Sequence, residues 1–324
     1  MDKKAFSISE SFNQGWNRFG DNALAYVGAL ACAGVMIFTT LLILAAIFFV
    51  SAGPTIAPLI RDNMPGMMVG APLGTRFPFQ EFSGNSVSVN PAEIYQAKLN
   101  ILEGLKPALP YLIIPCILGF ILLTLLDAWV KKGLVTMSLK TSRGEKVSFM
   151  DLFETNNFWK FYLSSLLFQL VTWGPLVLIM LVHGILTLNM FTGQLDNSAT
   201  LAYQPQMAAL TLLVGLMGII ALVYGIAMTM RYFFFPFFVM DKDFGPARSL
   251  KASSQMLKLA SKSDSSLPGR VLFLILLIIG FGALGSMGRI WILAVAPIIM
   301  ITLAFTYTKI LQVAEHEDHH AFIQ

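Results

Sequence analysis

Six apolar stretches, at about 24–52, 108–130, 161–188, 207–231, 268–287 and 290–312, constrain this 324-residue chain more than any other feature. A bilayer's hydrocarbon core is crossed by roughly 20 apolar residues of helix, so each stretch is read as a transmembrane helix. Composition agrees. Charged residues make up 12% of the chain and hydrophobic residues 56%, with a mean hydropathy of +0.70; soluble domains carry about 25% charged residues. A water-soluble fold of this composition would lack the polar surface to cover itself. The first stretch begins at Ala23 after a polar amphipathic segment and runs to Ala52. That is too late and too long for a secretory signal peptide, so the span is expected to be retained.

The basic residues set the orientation. Three of the 22 Lys and Arg lie in residues 1–22, six in 131–160, seven in 231–270, and one is Lys309, which makes seventeen. The other five are Arg61, Arg76, Lys98, Lys106 and Arg289. The positive-inside rule therefore places both termini and the loops 131–160 and 231–267 in the cytoplasm, with loop 53–107 outside. A pI near 9.0 in a soluble protein would raise nucleic acid as a partner. Here the cations sit beside spans, so the predicted partner is anionic lipid headgroups and not nucleic acid.

The connecting segments carry their own signals. In residues 1–22, Ser7 and Glu10 have capping-box spacing, and Phe12, Trp16 and Phe19 share one helical face; this predicts a cytoplasmic amphipathic helix. Loop 53–107 holds Pro54, Pro58, Pro65, Pro72, Pro78 and Pro91. That argues against a continuous helix or strand, except over 91–105. A loop this long needs something to order it, which makes it a candidate protein-binding surface. A second copy of the chain is another candidate partner. Pro175 predicts a kink in the third span. Ala221, Gly225 and Thr229, four residues apart, predict a close helix–helix approach in the fourth. Residues 314–324 form a charged cytoplasmic tail.

Three segments on the predicted cytoplasmic side each precede a pair of spans: Ser7 to Phe12, Ser148 to Phe153, and Gly245 to Leu250. Each starts with a cap-competent residue and places a large apolar residue five positions on. The fold class read from this pattern is all-α and polytopic. It has six transmembrane helices as three hairpins, each preceded by a cytoplasmic amphipathic helix.

Arg231 with the following aromatic run, Pro236, Phe237 to Asp241, Gly245-Pro246-Ala247 and Ser249 to Ser253 carry a resemblance. So do Phe6 to Phe12 and Gly15-Trp16-Asn17. They resemble a bacterial family of multi-pass proteins that includes the YciC-type inner-membrane proteins and the membrane domain attached to some glycerophosphoryl diester phosphodiesterases. The likeness is one of architecture over nearly the whole chain, carried by short motifs. The long loop 53–107 departs from the pattern, and no phosphodiesterase domain is attached. The resemblance implies a fold and an inner-membrane location, and no activity.

Few residues invite chemistry. Asp127 and Arg231, near the cytoplasmic ends of spans, are a candidate intramembrane ion pair, because a charge at that depth needs a partner or water. Arg248, Lys251 and Lys258, with Trp16 and Arg18, are candidate headgroup contacts. His183 in the third span is weighed as a proton relay against a hydrogen-bonded interfacial histidine. The tail residues Glu315 to His320 contain metal-ligand types but read as a solvated tail, so no metal site is assigned. No phosphate loop, nucleophile elbow, paired catalytic carboxylates or Cys/His framework occurs, so catalytic residues and cofactors are none. The function expected is a non-enzymatic integral inner-membrane protein that organises the membrane or serves as the membrane subunit of an assembly. The alternative is a transporter or channel for a small or lipidic substrate.

Overall fold

The computed structural model describes residues 7–63, 109–193, 204–287 and 289–317. Of this, 91% is helix, and there are no strands among the described residues. The helices are α1 Ile8–Asn63, α2 Leu109–Ser142, α3 Phe158–Gly193, α4 Gln204–Tyr232, α5 Phe235–Asp241, α6 Pro246–Ser263, α7 Leu267–Met287 and α8 Arg289–Glu317. A short 3-10 turn, Phe149–Phe153, lies between α2 and α3.

Among the described residues, five segments are long and apolar enough to cross a membrane: Ile8–Ser51, Ile113–Ser142, Phe158–Thr187, Ala209–Asp241 and Val295–His316. A shorter apolar helix, Leu267–Ile278, accompanies them. On α3 and α4 large apolar side chains point outward: Leu178 is 62% exposed and Leu212 74%. Leaving such a side chain in water forgoes about 1.5–3 kcal/mol, whereas acyl chains receive it without penalty. The described residues are thus all-helical, with several long apolar helices compatible with a polytopic membrane protein.

Several sequence boundaries move. The expected separate helix over 1–22 is the start of α1, which continues unbroken into the first apolar run. At the junction Gly20-Asp21-Asn22 the helix holds its register, and Asn22 Nδ2 donates to the Arg18 carbonyl at 3.0 Å. At its C-terminal end α1 is helical through Pro54 and Pro58 as far as Asn63, so loop 53–107 starts later than expected. The rest of that loop, and the tail beyond Glu317, lie outside the described residues. α2 extends to Ser142 rather than ending near 130, because Leu134, Val135, Met137 and Leu139 on its last turns are buried. The second predicted surface helix is only the five-residue 3-10 turn.

The chain divides into two compact units, Met1–Ala33 with Asp127–Gln324, and Gly34–Leu126. In the smaller, a Cβ at Gly119 would lie 3.3 Å from Leu44 Cδ1. In the larger, α6 touches α3, α4, α5, α7 and α8. The expected close approach on α4 is present: a Cβ on Gly225 would lie 3.0 Å from the Trp173 ring and 3.2 Å from the Thr172 carbonyl. Both Cys32 and Cys116 are free thiols.

Candidate functional site

The three cap positions read from sequence all start helical turns, though of different length. Ser7 Oγ accepts from the Glu10 amide at 3.4 Å. Ser148 and Asp151 form a full capping box. Gly245 caps α6 through its backbone only, followed by Pro246 in the first turn, where a missing N–H costs nothing.

α6 is amphipathic and seated by one face. Ser249, Leu250, Ala252, Ser253, Met256 and Ala260 are buried. The break between α4 and α5 is stitched to it: Ser253 Oγ accepts from the Phe234 amide at 3.1 Å and donates to the Arg231 carbonyl at 3.5 Å. These are groups that a helix end leaves orphaned. Removing the hydroxyl in Ser253→Ala strands the buried Phe234 amide, at about 1–3 kcal/mol. Chemical denaturation of the purified protein in detergent should show that loss.

The turn between α5 and α6, Asp241-Lys242-Asp243, joins three other segments. Asp241 accepts from Arg143 just past α2 and from the Tyr307 hydroxyl on α8, the latter at 3.0 Å. Lys242 reaches Glu315 at the end of α8, at 3.4 Å. Asp243 takes both oxygens to Lys160 at the start of α3, at 2.8 Å. Asp243 stands at φ +56°, a left-handed conformation that Asp tolerates better than most residues. Beneath the turn lies an aromatic core: the Tyr307 ring stacks on Phe237 at 5.2 Å and meets Phe238 edge-on at 5.2 Å. The start of α1 joins the same layer through Glu10 and Lys309, at 2.7 Å.

The 3-10 turn is held down on α2. Trp129 Nε1 donates to the Leu152 carbonyl at 3.0 Å. Lys132, with no exposed surface, donates to the Glu154 carbonyl. Lys140 pairs with Asp151 at 2.8 Å and with Glu154 at 3.5 Å. The buried Lys132 was not legible beforehand: in sequence it is one of two lysines at a span end, and only the fold separates the buried one from the solvated Lys131.

The candidate pair Asp127–Arg231 is corrected. Asp127 binds Lys131 one turn on, at 2.7 Å, while Arg231 Nε donates to Ser254 Oγ at 2.7 Å and the guanidinium lies 5.7 Å from the Tyr232 ring centre. The nearer lysine satisfies the carboxylate, so the arginine is left for α6. Trp16, Arg18, Arg248, Lys251 and Lys258 are all exposed. Arg248 lies over the Phe244 ring at 4.2 Å.

Charge pairing is unevenly distributed. Lys131, Lys140, Arg143, Lys160, Lys242, Arg270 and Lys309 each have a carboxylate partner. Among the described residues, the four cations of α6, Arg248, Lys251, Lys258 and Lys262, have none within 4.0 Å. At 3.6 residues per turn they fall within an arc of about 80° opposite the buried face.

Between α6 and α7, Asp264 binds the Ser266 hydroxyl at 2.5 Å, the Ser266 amide at 2.9 Å and Arg270 at 3.2 Å. The Ser266 hydroxyl first, then its amide and the Arg270 charge, hold the Asp264 carboxyl below the usual carboxylate range. A carboxyl with a lower folded than unfolded pKa stabilises above the unfolded value and loses that contribution as pH falls through the folded one. Asp264→Asn should therefore lower stability at neutral pH, with the difference from the parent shrinking as pH falls through the carboxylate range, as pH-dependent melting in detergent would report.

On α3, Thr172 Oγ1, His183 Nδ1 and Thr187 Oγ1 are buried without a hydrogen-bond partner among the described residues. They lie within about 60° of one another around the helix. Thr40, Thr136, Thr141, Thr229, Thr302, Thr306 and Thr308 instead donate to the carbonyl four residues back. Among the described residues no group of three His, Cys, Asp or Glu could hold a metal ion. Compared with known proteins, the chain matches no family model, no curated protein and no solved structure.

Proposed function

We propose that the chain is a non-enzymatic six-span membrane protein of the bacterial inner membrane, YciC-like in plan. Both termini would be cytoplasmic, and it would act as a membrane-organising scaffold or the membrane subunit of an assembly. The single observation that carries this reading is the exposed stripe of α6, which gathers on one helix face four cations with no carboxylate partner among the described residues, while Lys140, Arg143, Lys160, Lys242, Arg270 and Lys309 are paired. Unpaired cations beside membrane-spanning helices fit anionic headgroups, each worth about 1 kcal/mol near such a surface. Three hairpins are supported by which helix ends meet. The starts of α1 and α3 and the ends of α2, α5 and α8 share ion pairs in one layer. Loop 53–107 is the proposed protein-binding surface, and a second copy a further candidate partner.

The test is reconstitution in vesicles of phosphatidylcholine with a rising fraction of phosphatidylglycerol. The melting temperature should rise with that fraction, the rise should shrink in salt, and replacing the four α6 cations by Gln should abolish it. A melting temperature indifferent to lipid charge would overturn the reading.

A second reading, transport of a small or lipidic substrate, is favoured by one observation, the line of unpartnered polar atoms on α3. Buried polar groups within a span often mark a pathway. Protein-dependent collapse of a proton gradient in vesicles, lost in His183→Ala, would favour it; tight vesicles favour the scaffold.

A further inference from the structure

We propose that Arg231, Ser254, Lys251 and Lys258 form a binding site for the phosphate of an anionic phospholipid. This rests on the reading of α6 as a headgroup-facing helix, and narrows it from a diffuse cationic stripe to one defined site.

The hydrogen bonding points there. Arginine can only donate, so in the Arg231 Nε to Ser254 Oγ bond of 2.7 Å the serine oxygen is the acceptor. The serine proton is then left over. Three other serines of α6 spend theirs on carbonyls: Ser249 on Pro246, Ser253 on Arg231, Ser261 on Lys258. Among the described residues, Ser254 donates to none. The same bond pins one of the five guanidinium donors and leaves the terminal Nη fork free on an exposed side chain. A pinned fork suits the two oxygens of a phosphate.

Lys251 and Lys258 are three residues before and four after Ser254 on α6, so their side chains start about 5–6 Å from it on the same face. Both are exposed and neither has a carboxylate partner among the described residues. The cluster thus gathers three positive charges, a hydroxyl donor and no acceptor. Its natural complement is a compact, multiply accepting anion. Arg231 sits in the last turn of α4, within the candidate span Ala209–Asp241. A long arginine side chain at the end of an apolar helix extends toward the headgroup layer, which favours a lipid over a soluble anion.

The experiment measures lipid binding to the full chain in phosphatidylcholine nanodiscs by native mass spectrometry, with phosphatidic acid as the probe and inorganic phosphate as competitor. One saturable phosphatidic acid per chain is expected. Arg231→Lys, which keeps the charge but loses the fork, should weaken it about tenfold, the worth of one hydrogen bond to a charged group. Ser254→Ala should weaken it similarly, and Ser254→Thr should restore it. The pair Arg248→Gln with Lys262→Gln removes two charges of the same helix outside the site, and with them only the diffuse attraction, so it should weaken binding less than either Arg231→Lys or Ser254→Ala does. Variants are compared only where gel filtration and melting match the parent, and the Thr variant guards against misfolding.

Equal losses in both sets would overturn the site and leave the cationic-face reading standing. Phosphatidic acid bound no better than phosphatidylcholine would remove both. Full competition by inorganic phosphate at equal concentration would show a soluble-anion site and overturn the lipid assignment.

Discussion

Asp241→Ala lowers stability by about 2–4 kcal/mol. The carboxylate is only 11% exposed and takes two donors from different elements, Arg143 and Tyr307. Arg143 is half-exposed and can be resolvated, so losing that pair costs little by itself. Tyr307 cannot: with 1% of its surface accessible, its hydroxyl becomes a buried orphan, at about 1–3 kcal/mol. The loss of a charge-assisted bond adds a similar amount. Tyr307→Phe alone should cost about 1 kcal/mol, since Asp241 keeps Arg143. The double variant should cost less than the sum of the singles, because both remove one shared bond. Urea denaturation in detergent, followed by tryptophan fluorescence, would measure the cycle; strict additivity would show that the bond contributes nothing.

Gly133→Val should cost about 3 kcal/mol or more. A Cβ at Gly133 would lie 2.6 Å from Leu152 Cδ1 and 2.8 Å from both the Cα and the carbonyl oxygen of Leu152. Two of those three atoms are backbone, so no rotamer change relieves the contact. The 3-10 turn has to lift, and with it go the Trp129 bond to Leu152 and the Lys132 bond to Glu154. Overpacking alone costs about 1–3 kcal/mol, and the stranded ammonium of Lys132 adds to it. Gly218 on α4 is the control: nothing lies within 4 Å of a Cβ there. Gly218→Ala should be neutral or stabilising by up to about 1 kcal/mol, the helix preference of Ala over Gly. The pair, measured by the same denaturation, separates a real close approach from a generic intolerance of glycine replacement.

What could be read from sequence was whatever a single segment decides. The apolar runs, the Gly245-Pro246 start of α6, the cap at Ser148 and the exposed basic residues of α6 are local, and the structure places each where its chemistry asks. Helix ends were harder. Residues 131–142 looked like a polar loop because Lys131, Lys132 and Lys140 punctuate it, yet their apolar neighbours are buried and the helix continues to Ser142. Prolines at 54 and 58 looked like stops, but α1 runs past them. Pairing was least legible. Asp127 and Arg231 are opposite charges near span ends, and nothing in one dimension says that Lys131 and Ser254 reach them first. The Asp241-Lys242-Asp243 turn was visible as a charge pattern. Its ion-pair partners, Arg143, Glu315 and Lys160, are distant in sequence, as is Tyr307, so its role in joining the layer needed the fold.

The central claim is that the chain crosses a membrane with α6 and its unpaired cations on the cytoplasmic side. The most direct test uses a background with Cys32→Ala and Cys116→Ala, carrying either Lys258→Cys or Ser83→Cys. A membrane-impermeant maleimide is applied to spheroplasts and to inverted inner-membrane vesicles. The account predicts that Lys258→Cys reacts only in inverted vesicles and Ser83→Cys only in spheroplasts. Labelling of both from the same side, or of Lys258→Cys in sealed spheroplasts, would contradict it.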